Sequence, residues 1–388
     1  MPYQLAYKSK IHLWTPNLFK FKGGIQVYLS FLLRAFQHLY PEINYDVFLK
    51  HDIDISSDLS DLYKTNFHCI GIWPLRVRSI AFAAQIIELG LRKRPNLIVS
   101  GHLNFTIAAY WLKRFTGIPY WVLVYGMEAW DIKRPALKKA LRNADRILSI
   151  SGYTRDRLIK EQNLDPTRIP LLPCTLDPSR FKLAPKPAYL LERYGLKPEQ
   201  PVILTVSRLA EIERYKGYDQ ILKALPQIRQ TIPNVHYVIV GKGNDRPRIE
   251  QLIAQLGLQD YVTLAGFVPD EQLGDYYNLC DVFAMPSKRE GFGIVYLEAL
   301  ASGKPALGGN QDGAIDALCH GELGALVDPD DVEEIAQTII QILQGSYPNP
   351  LMYQPEALRQ KVIDTFGFER FKQRLAEIMK NSPISSEL

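Results

Sequence analysis

With 388 residues, 47% of them apolar and 22% charged, the chain is long enough for two domains and has an ordinary globular balance, which excludes a disordered or fibrous polymer. No stretch approaches the roughly 20 uninterrupted apolar residues of a membrane-spanning helix, and the opening MPYQLAYKSKIHLW lacks the layout of a secretory signal. Charge is divided unevenly: residues 1–175 carry 24 Lys and Arg against 13 Asp and Glu, and the remainder 22 against 28, a net +11 and a net −6. A basic first half points to an anionic partner, a phospholipid surface or a phosphorylated acceptor before nucleic acid, or else to a solvated basic face with no specific partner. The four cysteines, Cys69, Cys174, Cys280 and Cys319, form no CxxC pair. That fits a reduced cytoplasmic protein without structural zinc and gives each thiol a buried, inert role.

Along the chain, short apolar runs alternate with amphipathic segments, the pattern of parallel βαβ units. Strands are expected at 10–14, 44–49, 96–100, 120–125, 146–150 and 168–172, with helices at 24–39, 78–92, 104–115, 135–142 and 152–161. Five prolines between 173 and 200 mark a linker followed by a short helix. A second series then begins. Its strands are expected at 201–206, 235–240, 260–264, 281–284, 305–308 and 325–328, and its helices at 217–231, 245–256, 270–278, 293–302, 312–320 and 331–344. Residues 366–380 form one more helix. Two doubly wound α/β domains follow, 1–175 and 176–364, whose strand ends would face a common cleft.

The strongest local signal is Glu290-Gly291-Phe292-Gly293-Ile294-Val295-Tyr296-Leu297-Glu298, set between a strand and a helix. Its glycines allow close backbone approach to a ligand, and a helix opening near Gly293 aims free N–H groups at a diphosphate. Glu290 and Glu298 can then accept from hydroxyls on either side of the phosphates, or one of them simply sits near the positive end of a capped helix. Arg208, at the end of strand 201–206, and Lys216 can both neutralise a pyrophosphate, although surface cations are common. Gly23 and Gly24, at the first βα turn, can turn amides toward a phosphate or merely form a loop. Gly241-Lys242-Gly243 has Arg246 where a dinucleotide fingerprint needs its third glycine, so a turn lining a nucleotide is expected rather than NAD binding. Asp52-Ile53-Asp54 imitates a metal-binding DxD but lies in HDIDISSD, which reads as an exposed loop. His102 sits at a strand end, where ligands bind in such sheets; the other six histidines show no partner pattern and are read as structural.

Together these residues resemble the retaining glycosyltransferases of GT-B fold called family 4, over essentially the whole chain. The resemblance implies a nucleotide-diphosphate hexose as donor, with no metal and no other cofactor. It assigns Glu290 to the hexose, Glu298 to the ribose, and Arg208, Lys216, Gly23 and Gly24 to the diphosphate. Gly241, Gly243, Phe267, Val268, Gly291, Phe292, Gly293, Ile294 and Val295 complete the donor-binding set. It further implies that helix 365–388 packs back on the first, acceptor-binding domain. Many members place a His after the strand that here reads YWVLVYGMEAWD; this chain has Tyr125, so either Tyr125 takes an altered role or His102 supplies the imidazole. The acceptor is a sugar, lipid-linked or other hydroxyl, and the protein is expected in the cytoplasm, peripheral on the inner membrane face. Residues 72–94 combine Trp73, Phe82 and an aliphatic stripe with Arg76, Arg78, Arg92, Lys93 and Arg94. This suits an interfacial helix, or else a core helix whose stripe simply packs on the first sheet. A sugar-nucleotide epimerase and a non-catalytic binding subunit are the competing readings.

Overall fold

Apolar runs of four to six residues that are buried on both faces need no polar alternation, and they form parallel strands with helices over each side. The computed structural model describes residues 10–19, 23–55 and 64–381. The expectations for residues 1–9, for 56–58 of the acidic stretch and for 382–388 lie outside them. The chain divides into two units, Met1–Cys174 with Phe368–Leu388, and Thr175–Gly367.

The first unit runs β1 (Lys10–Thr15), α1 (Gly24–Leu39), β2 (Asn44–Leu49), β3 (Thr65–Cys69), α2 (Leu75–Lys93), β4 (Leu97–Ser100), α3 (Thr106–Thr116), β5 (Tyr120–Val124), α4 (Pro135–Arg142), β6 (Arg146–Ser149) and α5 (Gly152–Gln162). Its sheet is parallel in the order β3-β2-β1-β4-β5-β6. The second unit runs α6 (Ala188–Tyr194), β7 (Val202–Val206), α7 (Tyr218–Thr231), β8 (His236–Val240), α8 (Arg246–Gln255), β9 (Val262–Gly266), α9 (Asp270–Leu279), β10 (Val282–Met285), α10 (Ile294–Ala301), β11 (Ala306–Gly309), α11 (Ala314–Ala317), β12 (Ala325–Val327), α12 (Val332–Leu343) and α13 (Pro355–Phe366). Its sheet order, β12-β11-β10-β7-β8-β9, is the same winding repeated. In both sheets the direction of winding reverses once, at β1/β4 and at β7/β10, and ligands of such sheets bind beyond the strand ends at that reversal.

The last helix, α14 (Phe368–Lys380), belongs to the first unit. Phe371 meets Tyr28 edge-on with ring centroids 5.7 Å apart, and Phe368 meets Phe31 at the same separation. In the second unit, Ile221 and Leu225 of α7 share a core with Ile335 and Ile339 of α12 and with strand residues Ile203, Tyr237 and Val282.

Several expectations are corrected. Residues 168–172 do not form a strand: Pro170 lacks a donor, and the segment makes only a bridge from Leu171 to Ser149. Strand β3 and helix α13 were not expected. Asp52 is not on an exposed loop; it is fully buried and accepts from the amides of Leu18 (2.6 Å) and Phe19 (3.3 Å). His68 is not without a partner, since its Nε2 lies 2.8 Å from the buried Asp46. Cys174 and Cys280 are buried, whereas Cys69 and Cys319 are only half-buried.

Candidate active site

In the second unit the segments leaving β7 and β10 lie side by side, because those strands pair at the reversal. Arg208 follows β7 with its side chain 62% exposed, and its guanidinium pairs with the buried carboxylate of Glu213. The adjacent Ser207 Oγ is buried without a hydrogen-bond partner among the described residues. Lys216 ends a short 3-10 turn and directs its ammonium to the Glu290 carboxylate, which leaves β10's side of the sheet; both side chains are 16% exposed. Burial works against the Lys216 charge, but Glu290 beside it more than offsets this and holds the lysine pKa above its ordinary value.

The backbone of Glu290 is fixed from behind by Asp312. The Asp312 carboxyl accepts from Ser287 Oγ (2.7 Å), from the Glu290 amide (2.7 Å) and from the Ala314 amide (2.9 Å). Burial pushes its pKa up to about 7, against the pull of those three donors. The signal in the sequence was an Asp two residues ahead of a helix start, a side chain that bonds its own following backbone.

Gly293 caps α10 in the left-handed region (φ 87°), and a Cβ there would come within 2.5 Å of the Tyr296 ring. The first turn of α10 has neither a side-chain cap nor an acidic residue, so its positive end is uncompensated. Gly291 and Phe292 are buried and Ile294 and Val295 half-buried beside it. Glu298, one turn inside, accepts from the Tyr277 hydroxyl at 2.7 Å, and burial pushes its carboxyl up to about 7. Gly241 and Gly243 pack against the segment leaving β7: a Cβ on either would lie within 2 Å of the carbonyl oxygen of Ser207 or Leu209. Phe267 is exposed with the Lys242 ammonium 4.7 Å from its ring centre, and Val268 is buried next to it. Arg208, Lys216, Glu290, Glu298 and the start of α10 are thus all built on the reversal side of one sheet.

In the first unit, Gly23 caps α1 in an extended conformation and Gly24 is exposed, with open space where a Cβ would stand; that helix start also lacks an acid or a side-chain cap. His102 follows β4. Its Nδ1 accepts from the Asn104 amide at 3.1 Å, which places the proton of the neutral ring on Nε2. Burial, with the Lys50 charge, lowers its pKa. Tyr125 is buried, donates its hydroxyl to the Gly101 carbonyl at 3.1 Å, and has its pKa raised well above the ordinary value by burial. Its amide is held by Glu128 at 2.5 Å. Tyr125 is thereby a strut between the ends of β5 and β4, and His102 keeps a donor.

Two family models match: "Glycosyltransferase Family 4" over residues 22–180 and "Glycosyl transferases group 1" over residues 190–360. The chain is 32% identical over 264 residues to a GDP-mannose-dependent alpha-(1-6)-phosphatidylinositol monomannoside mannosyltransferase of Mycolicibacterium smegmatis, covering 66% of this chain and 67% of that one. It is 28% identical over 305 residues to a 2-deoxystreptamine glucosyltransferase of Streptomyces kanamyceticus, covering 74% and 78%. Among solved structures, the Anabaena protein HepE in complex with UDP and glucose superposes with a TM-score of 0.76 over 96% of this chain and 99% of that one, at 19% identity. With both halves matched and two reversal sites of the same winding, the chain belongs to the group 1, family 4 glycosyltransferases, enzymes of GT-B fold that use nucleotide sugars.

Proposed function

We propose that the chain transfers a hexose, with retention of anomeric configuration and without a metal ion, from a nucleoside-diphosphate sugar to a sugar or lipid-linked hydroxyl at the cytoplasmic face of a membrane. The observation that carries this reading is the Lys216–Glu290 pair beside the uncapped start of α10. When the diphosphate arrives, its oxygens take the amides of Ile294 and Val295, the Arg208 guanidinium and the Lys216 ammonium. Lys216 exchanges one anion for another, and the released Glu290 carboxylate accepts from a hydroxyl of the hexose. Glu298 keeps Tyr277 on one oxygen and offers the other to the ribose.

Catalysis then rests on stabilising charge as it develops on the leaving diphosphate, which these fixed cations and amides do without reorganisation. A diphosphate oxygen takes the acceptor's proton on the face from which the nucleotide leaves, so the anomeric configuration is kept without an enzymic nucleophile. The two cations and the helix end supply the neutralisation a divalent ion would give. In the first unit, His102 Nε2–H is the donor offered to a sugar hydroxyl, in place of Tyr125, whose hydroxyl is already given to Gly101.

GDP-mannose is the first donor to test, because the mannosyltransferase relative uses it by name. Incubation with a panel of GDP-, UDP- and ADP-hexoses, followed by NMR of the product, is expected to show nucleotide release and an α-linked product from an α-linked donor, unaffected by EDTA. An inverted product, or activity restored only by Mg²⁺ or Mn²⁺, would overturn the proposal.

A further inference from the structure

Helix α2 carries two apolar lines where a surface helix carries one. The inner line, Phe82, Ile86 and Gly90, is buried. It packs on α3 and the residue that caps it: the Phe82 ring lies 4.7 Å from that of the cap Phe105, and Gly90 sits so close to Leu112 that a Cβ would come within 2.7 Å of its Cδ1. The outer line runs Val77, Ile80, Ala84, Ile87 and Leu91, at alternating steps of three and four residues, and every member is exposed. Ahead of it lie Ile72, Trp73 and Leu75; Ile72, Leu75 and Ile80 are 78%, 74% and 72% exposed. Among the described residues, seven of the sixteen exposed large apolar side chains fall within residues 72–91, so they form a concentration rather than scattered exceptions. On neighbouring α3, Trp111 and Phe115 are also exposed and stack on each other at 6.0 Å.

The cations around this face are sorted by their partners. Arg78 donates to the carbonyls of Gly71 and Trp73, and Lys93 turns inward to Asp46 at 2.7 Å. Arg92 pairs with Glu88 on the surface. Arg76 at one end of α2, Arg94 at the other and the exposed Arg114 of α3 have no ion pair among the described residues. No helix among these residues is long and apolar enough to cross a membrane.

We propose that the outer line of α2, with Trp111 and Phe115 of α3, is the face by which the first unit lies in the headgroup region of an anionic lipid bilayer. The proposal rests on the membrane-side part of the proposed function and not on its chemistry. An exposed apolar stripe bordered by cations, with tryptophans near its edge, has the makeup of a helix lying along the interface. Charge selects this occupant over a second copy of the chain. Two α2 helices pairing antiparallel through the outer line would set Arg76 of each against Arg94 of the other, whereas anionic headgroups attract both ends. The depth also fits, since α2 buries its inner line in the protein and has only its outer line left to embed.

Co-sedimentation of the full chain with phosphatidylcholine vesicles, and with vesicles doped with phosphatidylglycerol, tests this. The expected result is pelleting with the doped vesicles only, weakened by salt, reduced about five-fold by Arg76→Gln and abolished by Ile80→Glu. The Ile80→Glu protein must keep the wild-type circular dichroism and the thermal shift given by GDP or UDP. Equal pelleting with both vesicles, none with either, or undiminished pelleting of Ile80→Glu overturns the proposal. So does a wild-type dimer that Ile80→Glu converts to monomer without lipid binding. Because the nucleotide shift is read separately, loss of the donor reading leaves the vesicle result standing, and the reverse.

Discussion

Lys216 and Glu290 neutralise each other in the ligand-free protein, and this gives Glu290→Gln an unusual expected profile. Turnover should fall by on the order of 10²-fold or more, as for loss of a group that holds the reacting hexose in place. Calorimetry with the free nucleoside diphosphate should show affinity that is unchanged or improved, because Lys216 no longer has a carboxylate to leave. Glu298→Gln should do the opposite, weakening the nucleotide by about 1.5–3 kcal/mol, the worth of a charged hydrogen bond, with a smaller effect on turnover once the site is saturated. Asp312 contributes a pH dependence whose sign is fixed. In the folded chain burial holds its proton to about 7, whereas its ordinary value is 3.8. Folding therefore takes up a proton in between, and the Asp312 share of stability falls as pH rises from about 4 to about 7. The depressed carboxyls of Asp46 and Asp245, held down by their His, Lys and Arg partners, act below that window. Thermal melts across it should show a shallower fall for Asp312→Asn than for the wild type. The positions of Glu290, Glu298, Arg208 and Lys216 beside strand ends and helix starts were legible in the sequence, because the apolar runs and helical patterns around them fix where those elements begin and end. Asp312 and Glu213 were not, since what they do depends on which loop lies beneath which, a matter of tertiary packing.

At the scale of elements, the start of α10 depends on Gly293. Gly293→Ala would force an L-residue to φ 87° with its methyl against Tyr296. We expect a cost of about 1–3 kcal/mol, read as a lower melting temperature, and a loss of diphosphate affinity larger than the stability change alone explains. The apolar strands were readable because burial on both faces demands Val, Ile and Leu. Strand β3 was not: TNFHC has no apolar run, and it is held by its ladder to β2 and by the His68–Asp46 bond. Residues 168–172 misled in the other direction, apolar enough for a strand but carrying Pro170. Helix α13 was hidden behind the proline-rich approach to Pro355, although Leu358, Val362 and Phe366 recur at four-residue steps on its buried side. For α2 the residues themselves were plain, but only the packing told the inner line from the outer.

Across the whole molecule, the first unit is made of two separate stretches of chain, and α14 closes it. Phe371, Leu375 and Met379 are buried, so Phe371→Ala should cost the first unit about 3–5 kcal/mol. Hydrogen exchange is the measurement: faster exchange in α1 and β1, with α7 and β8 of the second unit unchanged. Equal acceleration in both units would refute so local a role. The same closure has a consequence for how the protein comes into being. A ribosome makes residues 10–174 first, yet the face of α1 that carries Tyr28 and Phe31 waits for a helix translated only after all of the second unit. The second unit, continuous from Thr175 to Gly367, is begun later and has all its elements sooner. During synthesis the earlier half stands with an apolar seam open while nearly two hundred further residues are added. That interval is when a chaperone has a surface to hold, and when a neighbouring nascent chain has one to stick to.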